Sequence, residues 1–91
     1  MRTIYKYPIK ITDRQQIEFP VDVKFLHAGL DPQGVPCVWA EIGTDETETH
    51  PIVILVVGGT GNTIPEGSRN EYQHLGSFVQ GPYMWHVYYR Q

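Results

Sequence analysis

The sequence predicts an all-β protein, either a small antiparallel β-sandwich or a partly open β-barrel of six or seven short strands. Three observations predict this class. Apolar residues alternate with polar ones in several short segments, turn residues separate these segments at regular spacing, and no window carries the apolar repeat of a helix. The nearest helical candidate, residues 68–75, is short and polar, so at most one short helical turn is expected.

The first two strands are expected close to the N-terminus. Residues 3–11 alternate around Pro8, which is typical of an edge strand because proline has no N–H to donate to a ladder. A second short strand is expected at residues 15–19, where Pro20 ends it.

A hairpin is expected next. Alternating residues over 21–30 predict a third strand with one buried and one mixed face. The segment Asp31-Pro32-Gln33-Gly34 combines a proline that presets φ with a glycine that accepts positive φ, so it predicts a tight turn into a strand at 37–42. The acidic, apolar-free segment 44–50 predicts a solvated loop.

The second half of the chain contains the expected core strand and a closing hairpin. Residues 52–57 are almost all β-branched, which favours a central strand with both faces covered. Residues 58–70 form the longest irregular stretch, and strands at 72–80 and 83–90 are expected to pair around a Gly-Pro turn. Alternation in the last strand predicts two faces, one with Trp85, Val87 and Tyr89 and the other with Met84, His86 and Tyr88.

Length, charge and cysteine content limit the classes of function. Ninety-one residues predict a single domain, 1–91, and so small a core favours a homo-oligomer. Cys37 is the only cysteine, so no internal disulfide and no structural zinc site are expected. Early charges and short apolar runs predict neither a signal peptide nor a membrane segment, so a cytoplasmic location is expected. The net charge of -3 argues against general binding to DNA or RNA.

A glycine-rich loop follows the predicted core strand. Glycines let successive N–H groups converge on an anion, so Gly59, Thr60, Gly61 and Asn62 are candidate phosphate ligands, with Arg69 as a candidate charged partner. The loop lacks the Lys-Ser/Thr of a nucleoside-triphosphate loop and does not fit G-x-G-x-x-G. A plain strand-ending turn therefore stays open as the alternative.

The histidines and nucleophiles suggest no established catalytic pattern. Four histidines are scattered without metal-site spacing, so neither a metal nor a cofactor is expected. Ser77 and Cys37 lack the sequence context of known nucleophiles. His86 lies in an aromatic strand, either as a hydrogen-bonded strand residue or as a ligand contact.

Aromatic side chains are the most distinctive feature of the composition. Eleven in so short a chain exceed what one small core encloses, so some are expected to face outward. Exposed rings serve either a subunit interface or the stacking of a planar base. The aromatic residues expected to contact a ligand are Trp39, Tyr83, Trp85 and Tyr88.

Short motifs along nearly the whole chain resemble a family of small uncharacterised proteins encoded mostly by bacteriophages and prophages. The motifs are Ile4-Tyr5-Lys6-Tyr7-Pro8, Cys37-Val38-Trp39-Ala40, Gly59-Thr60-Gly61, Ile64-Pro65, Gly76-Ser77-Phe78 and Trp85-His86-Val87. In size and aromatic content the chain is also similar to phage anti-defence sponges, which sequester nucleotide signals of bacterial immunity.

The resemblance implies a phage-encoded, non-catalytic, homo-oligomeric protein that sequesters a cyclic-nucleotide or ADP-ribose-derived signal. A sponge needs only tight burial of base, ribose and phosphate, and a nanomolar Kd corresponds to about -12 kcal/mol. Two alternatives stay open. One is a protein-binding module, either an inhibitor of a host enzyme or an accessory virion component; the other is a small nucleotide hydrolase that uses His86.

Overall fold

The computed structural model describes residues 1–59 and 72–90, and within these ranges the chain folds into seven strands in two antiparallel sheets. No helix occurs among the described residues. The all-β prediction is confirmed, and the arrangement is a sandwich rather than a closed barrel. The strands are β1 (Arg2–Pro8), β2 (Gln15–Pro20), β3 (Lys24–Leu30), β4 (Pro36–Gly43), β5 (Thr49–Gly58), β6 (Gln73–Gln80) and β7 (Tyr83–Arg90).

The two sheets have different widths. The three-stranded sheet has the order β1-β4-β3, and the four-stranded sheet has the order β2-β5-β7-β6. β1 is an edge strand, as Pro8 predicted, and the β-branched β5 has neighbours on both sides. The expected turns at 31–34 and 81–82 connect antiparallel neighbours, with Gly34 and Gly81 at positive φ.

The core consists of the rows of side chains that the sheets turn towards each other. Four rings form a continuous chain within it, because Tyr7 contacts Phe19 at 4.5 Å between centroids, Phe19 contacts Phe25 at 5.0 Å, and Phe25 contacts Tyr89 at 4.4 Å. Rings at these distances contribute beyond their buried area. The buried members of the core are Ile9, Phe19, Ala28, Val38, Ile52, Ile54, Val56, Phe78 and Val87.

Glycine allows the sheets to approach closely between their edge strands β3 and β6. A Cβ added at Gly76 would lie 2.4 Å from the carbonyl oxygen of Ala28 and 2.9 Å from its nitrogen. Only a residue without a side chain fits against backbone at that distance. Gly76 therefore fixes where the two sheets meet.

Two strands depart from the regular alternation that the sequence predicted. β3 begins at Lys24 rather than at residue 21, because Val21 and Asp22 form a turn in which the N–H of Val23 donates to the carbonyl of Pro20 at 3.1 Å. The register of β3 then shifts between Phe25 and His27, and that of β6 shifts between His74 and Gly76.

Other strand ends differ from the prediction by a few residues. β1 stops at Pro8 rather than at residue 11, and β5 begins at Thr49, within the segment that was expected to be a loop. Of the helical candidate at 68–75, residues 73–75 belong to β6 and residues 68–71 lie outside the described residues. No helix among the described residues is long and apolar enough to cross a membrane.

Candidate functional site

The four aromatic residues that were expected to contact a ligand do not share one surface. Trp85 faces inward and packs against the core, as alternation in β7 predicted, whereas Tyr88 faces outward from the same strand. Trp39 lies on the outward face of the other sheet, where it pairs with His27. Tyr83 is at the hairpin end and is 60% exposed. A single copy of the chain does not bring these rings into one stacking platform.

The expected phosphate loop is described only at its first residue. Gly59 has a φ of 75°, which explains the glycine, but its N–H donates to the carbonyl of Met84 at 2.7 Å. That bond extends the β5–β7 ladder, so this N–H is not available to an anion. The remaining candidates, Thr60, Gly61, Asn62 and Arg69, lie outside the described residues.

Polar side chains converge instead on the outward face of the β6–β7 hairpin. The Nε2 atom of His74 lies 2.9 Å from Oγ of Ser77, and the same oxygen lies 2.8 Å from Nδ1 of His86. The ring of Tyr88 packs against His74 edge to face, with 5.3 Å between centroids. We call His74, Ser77 and His86 the histidine–serine row; it is the candidate functional site.

Two features of the hairpin assemble this row. The turn at 81–82 pairs Gln80 with Tyr83, and counting outward from it places Ser77 opposite His86. His74, three residues before Ser77, would lie on the opposite face of a regular strand. The bulge at Leu75 adds one residue to β6, which turns His74 to the outward face opposite Tyr88.

The surroundings of the row are apolar on one side and cationic on the other. Towards the hairpin end, Val79 and Met84 oppose each other on the outward face and are 60% and 37% exposed. At the far end of β7 the guanidinium of Arg90 lies over the ring of Tyr72, 5.0 Å from its centroid. The hairpin face thus offers apolar surface, imidazole, hydroxyl, an aromatic ring and a positive charge along one strand pair.

A second polar cluster lies on the outward face of the three-stranded sheet. Nζ of Lys6 donates to Oδ2 of the buried Asp31 at 2.9 Å, and Sγ of Cys37 lies 3.9 Å from that oxygen. The hydrogen bond from Lys6 lowers the pKa of Asp31, with help from the N–H groups of Val35 and Gln33. Burial raises the pKa of the Cys37 thiol. Asp31 also closes the turn between β3 and β4, so this cluster has a structural role.

A cavity of about 290 Å³ lies at the opposite end of the same sheet, and its lining includes Arg2 and the acidic residues Asp22, Asp45 and Glu46. The Arg2 guanidinium bonds Asp22 at 3.0 Å and also bonds Glu41, while Oδ2 of Asp22 accepts the N–H of Gly43 at 3.1 Å. These bonds join β1 to the β2–β3 turn and to β4. Arg2 has a raised pKa, chiefly through its hydrogen bond to Glu41.

Of the ten predicted site residues, the structure brings together two separate pairs: His86 and Tyr88 on the outward face of β7, and Tyr83 and Trp85, whose ring centroids are 6.0 Å apart. It adds His74 and Ser77, which were considered among possible nucleophiles and metal ligands but not as ligand contacts. Counting residue pairs outward from the predicted turn at 81–82 would have paired Ser77 with His86. The position of His74 depends on the bulge, and the sequence carries no signal for it.

Comparison with known proteins places the chain in a family without assigning a function. No curated protein and no solved structure matches it. The model of one protein family matches residues 1–91, which is the whole sequence given. The chain therefore belongs to the family described as a domain of unknown function, DUF7352.

Proposed function

We propose that this chain is a non-catalytic binding protein that captures a nucleotide-derived signal on the outward face of the β6–β7 hairpin. The observation that carries the proposal is the histidine–serine row, where two imidazoles each lie within hydrogen-bond distance of one hydroxyl beside Tyr88. Imidazole and hydroxyl groups donate to phosphate oxygens. An aromatic ring that stacks on a base contributes about 1 to 3 kcal/mol.

The class of signal in this proposal follows the resemblance to phage proteins. We take the ligand to be a cyclic-nucleotide or ADP-ribose-derived signal of bacterial immunity, held intact rather than cleaved. Such a ligand carries both a planar base and phosphate, which are the groups that Tyr88 and the row suit. The single strand pair is open on one side, so tight enclosure in this proposal requires a second copy of the chain.

Ligand-dependent stabilisation tests the proposal. The purified protein is heated with a panel of cyclic dinucleotides and ADP-ribose derivatives, and the released ligand is identified by mass spectrometry. A ligand at a hundredfold excess over Kd stabilises the fold by about 2.7 kcal/mol, which for a small domain raises Tm by roughly 10 °C or more. Release of intact ligand supports capture, release of a changed ligand supports the hydrolase, and no shift across the panel refutes the proposal.

Matched variants locate the ligand. Ser77→Ala and His86→Gln remove donors from the row and are expected to reduce the thermal shift. The control is His27→Gln, because His27 lies against Trp39 on the other sheet. Equal thermal shifts in all three variants would place the ligand elsewhere.

A specific observation favours a second candidate, the protein-binding module. Val79, Tyr83 and Met84 form a hydrophobic hairpin end in which each side chain is at least 37% exposed. Clustered exposed apolar side chains mark contacts with other proteins. This account predicts that Val79→Ser with Met84→Ser abolishes binding of a host or phage protein, and that nucleotides leave this binding unchanged.

A further inference from the structure

We infer that the histidine–serine row is a proton-coupled oxyanion site, which takes up one proton when it binds a sulfate-like or phosphate-like group. The inference deepens the proposed function and rests on it only for the placement of a ligand's phosphate at this row. It names the group that is recognised and a condition, pH, that regulates recognition. The hydrogen bonds along the row carry the argument.

Counting hydrogens shows what the neutral row offers. Ser77 has one hydroxyl proton and lies between Nε2 of His74 and Nδ1 of His86. It therefore donates to one ring nitrogen and accepts from the other, and each neutral imidazole carries one N–H. As a result, of the two outer nitrogens, Nδ1 of His74 and Nε2 of His86, one carries a hydrogen and the other is a bare acceptor.

One added proton changes both the donor pattern and the charge. It binds the bare outer nitrogen, so both ends of the row then donate, and the hydrogen bonds through Ser77 stay in place. The row gains a full positive charge at the same step. An oxyanion that lies against the protonated row meets only N–H donors, and hydrogen bonds from a charged donor are about twice as strong as neutral ones.

Without a bound anion, positive charge on both imidazoles at once is unfavourable. Their ring centroids are 6.4 Å apart, so two positive charges on the row would repel. That repulsion limits the row to one added proton, and an anion attracts the single positive charge and so favours the protonated row. By linkage, protons must then strengthen anion binding by the same factor that the anion strengthens proton binding.

Few other titratable groups face the row among the described residues. On β7 these are Tyr88, against His74, and Arg90 beyond it, whose guanidinium lies over the ring of Tyr72. The residues of β5 beside His86 and Tyr88 are Val57 and Leu55, which are apolar.

The strand β3, which packs against β6, carries Lys24 and His27. Both lie on the outward face of the three-stranded sheet, opposite Glu41 and Trp39. The imidazoles of the row are therefore the groups expected to titrate with the anion.

Sulfate is the probe that tests the inference, because it stays a dianion across the relevant pH range while phosphate titrates. Imidazole signals are followed by NMR from pH 5 to 9 in sodium sulfate and in sodium chloride at equal ionic strength. We expect sulfate to move the titration midpoint of the row upward by about half a pH unit or more. Signals of His27 and His50 serve as internal controls and are expected to titrate identically in the two salts.

Variants and a second method separate specific binding from screening. In Ser77→Ala the link between the imidazoles is broken, and the sulfate-induced shift is expected to fall to the level of the controls. Calorimetry in buffers with different ionisation enthalpies should detect net proton uptake on sulfate binding near the titration midpoint of the row, amounting to a fraction of a proton when the midpoint moves by about half a unit. Equal midpoints for the row in the two salts, or sulfate binding without proton uptake, would overturn the inference.

The inference and the proposed function fail in distinguishable ways. If the row binds sulfate with proton uptake and no nucleotide in the panel binds, the inference stands and the proposed function falls. If a cyclic dinucleotide binds through His86 with the same affinity at pH 6 and pH 8, the proposed function stands and the inference falls. The phosphodiesters of a cyclic dinucleotide do not titrate between pH 6 and pH 8, so any pH dependence of binding comes from the protein.

Discussion

At the scale of single residues, two positions fix contacts that are distant in the chain. Gly76 permits the backbone approach between the sheets, and Asp31 ties the β3–β4 turn to β1 through Lys6. The sequence predicted Asp31 as a turn residue, because Asp-Pro-x-Gly has a local signature. It could not predict the ion pair with a residue 25 positions away, since that contact requires the register of three strands.

Replacing Gly76 by alanine is expected to destabilise the fold by about 2 kcal/mol or more, because the new Cβ meets backbone atoms that cannot move aside cheaply. The measurement is the urea midpoint of unfolding. Gly81→Ala is the matched control: its φ of 60° costs about 1 kcal/mol, but nothing lies within 4 Å of the added Cβ. A smaller loss at Gly76 than at Gly81 would contradict the close approach.

Asp31 is expected to make stability depend on acidity. Lys6 lowers the pKa of this carboxyl in the fold, so its ionised form stabilises the protein above the ordinary pKa of about 3.9. That contribution is lost as pH falls through the lower folded value. Asp31→Asn should therefore be less stable than the parent at pH 7, with a difference that narrows below about pH 4. A difference that stays constant between pH 7 and pH 3 would argue against the ion pair.

At the scale of elements, strand number and kind followed from alternation and turn residues, as did the pairs β3–β4 and β6–β7, whereas the other strand partners did not. Local pattern predicted β5 as a core strand and β7 with its two faces. The sequence could not predict the two bulges, because an extra residue in a strand costs little free energy and leaves no trace in the composition. Each bulge nevertheless changes the direction of a histidine side chain. In β3 the bulge turns His27 towards Trp39, and in β6 it turns His74 towards Ser77.

Amide hydrogen exchange should separate central strands from edge strands. β5 lies between β2 and β7, so its amides along the paired length are expected to exchange at rates near the global unfolding limit. Among the described strands β1 pairs with β4 alone, and its alternate amides are expected to exchange at least tenfold faster. Uniform protection along β1 in dilute solution would indicate that another strand, such as β1 of a second copy, covers its edge.

At the scale of the whole molecule, the sandwich is thin and its rings are divided between its interior and its surface. The Cα positions span 41 × 32 × 16 Å. Of the eleven aromatic side chains, Phe19 and Phe78 are buried and only Tyr5 and Tyr83 are more than half exposed. Some rings are therefore exposed, as expected, most of all these two, while Trp39 and Tyr88 lie half-buried on outward sheet faces. Composition alone could not say which rings these are, since that depends on how the strands pair.

Self-association stays a prediction, and these two tyrosines provide its test. If copies associate through them, Tyr5→Ser with Tyr83→Ser should shift sedimentation from a larger species to one near 10.4 kDa. Both side chains are exposed, so the double variant is expected to lose less than about 1 kcal/mol of folding stability. An unchanged oligomeric state, or a parent protein that sediments as a single copy, would remove them as interface residues.

The extra residue in β6 also affects how this chain is compared with its relatives. The inward–outward alternation of side chains reverses at Leu75. Residues 74 and 77 therefore lie on the same surface, although a spacing of three would put them on opposite faces of a regular strand. A relative that kept the spacing of three without the bulge would hold the same two histidines and serine, yet its first imidazole would face the interior. A relative with one residue fewer at this point would instead keep both side chains on the outward face in a regular strand, so an alignment gap of one here does not by itself remove the row.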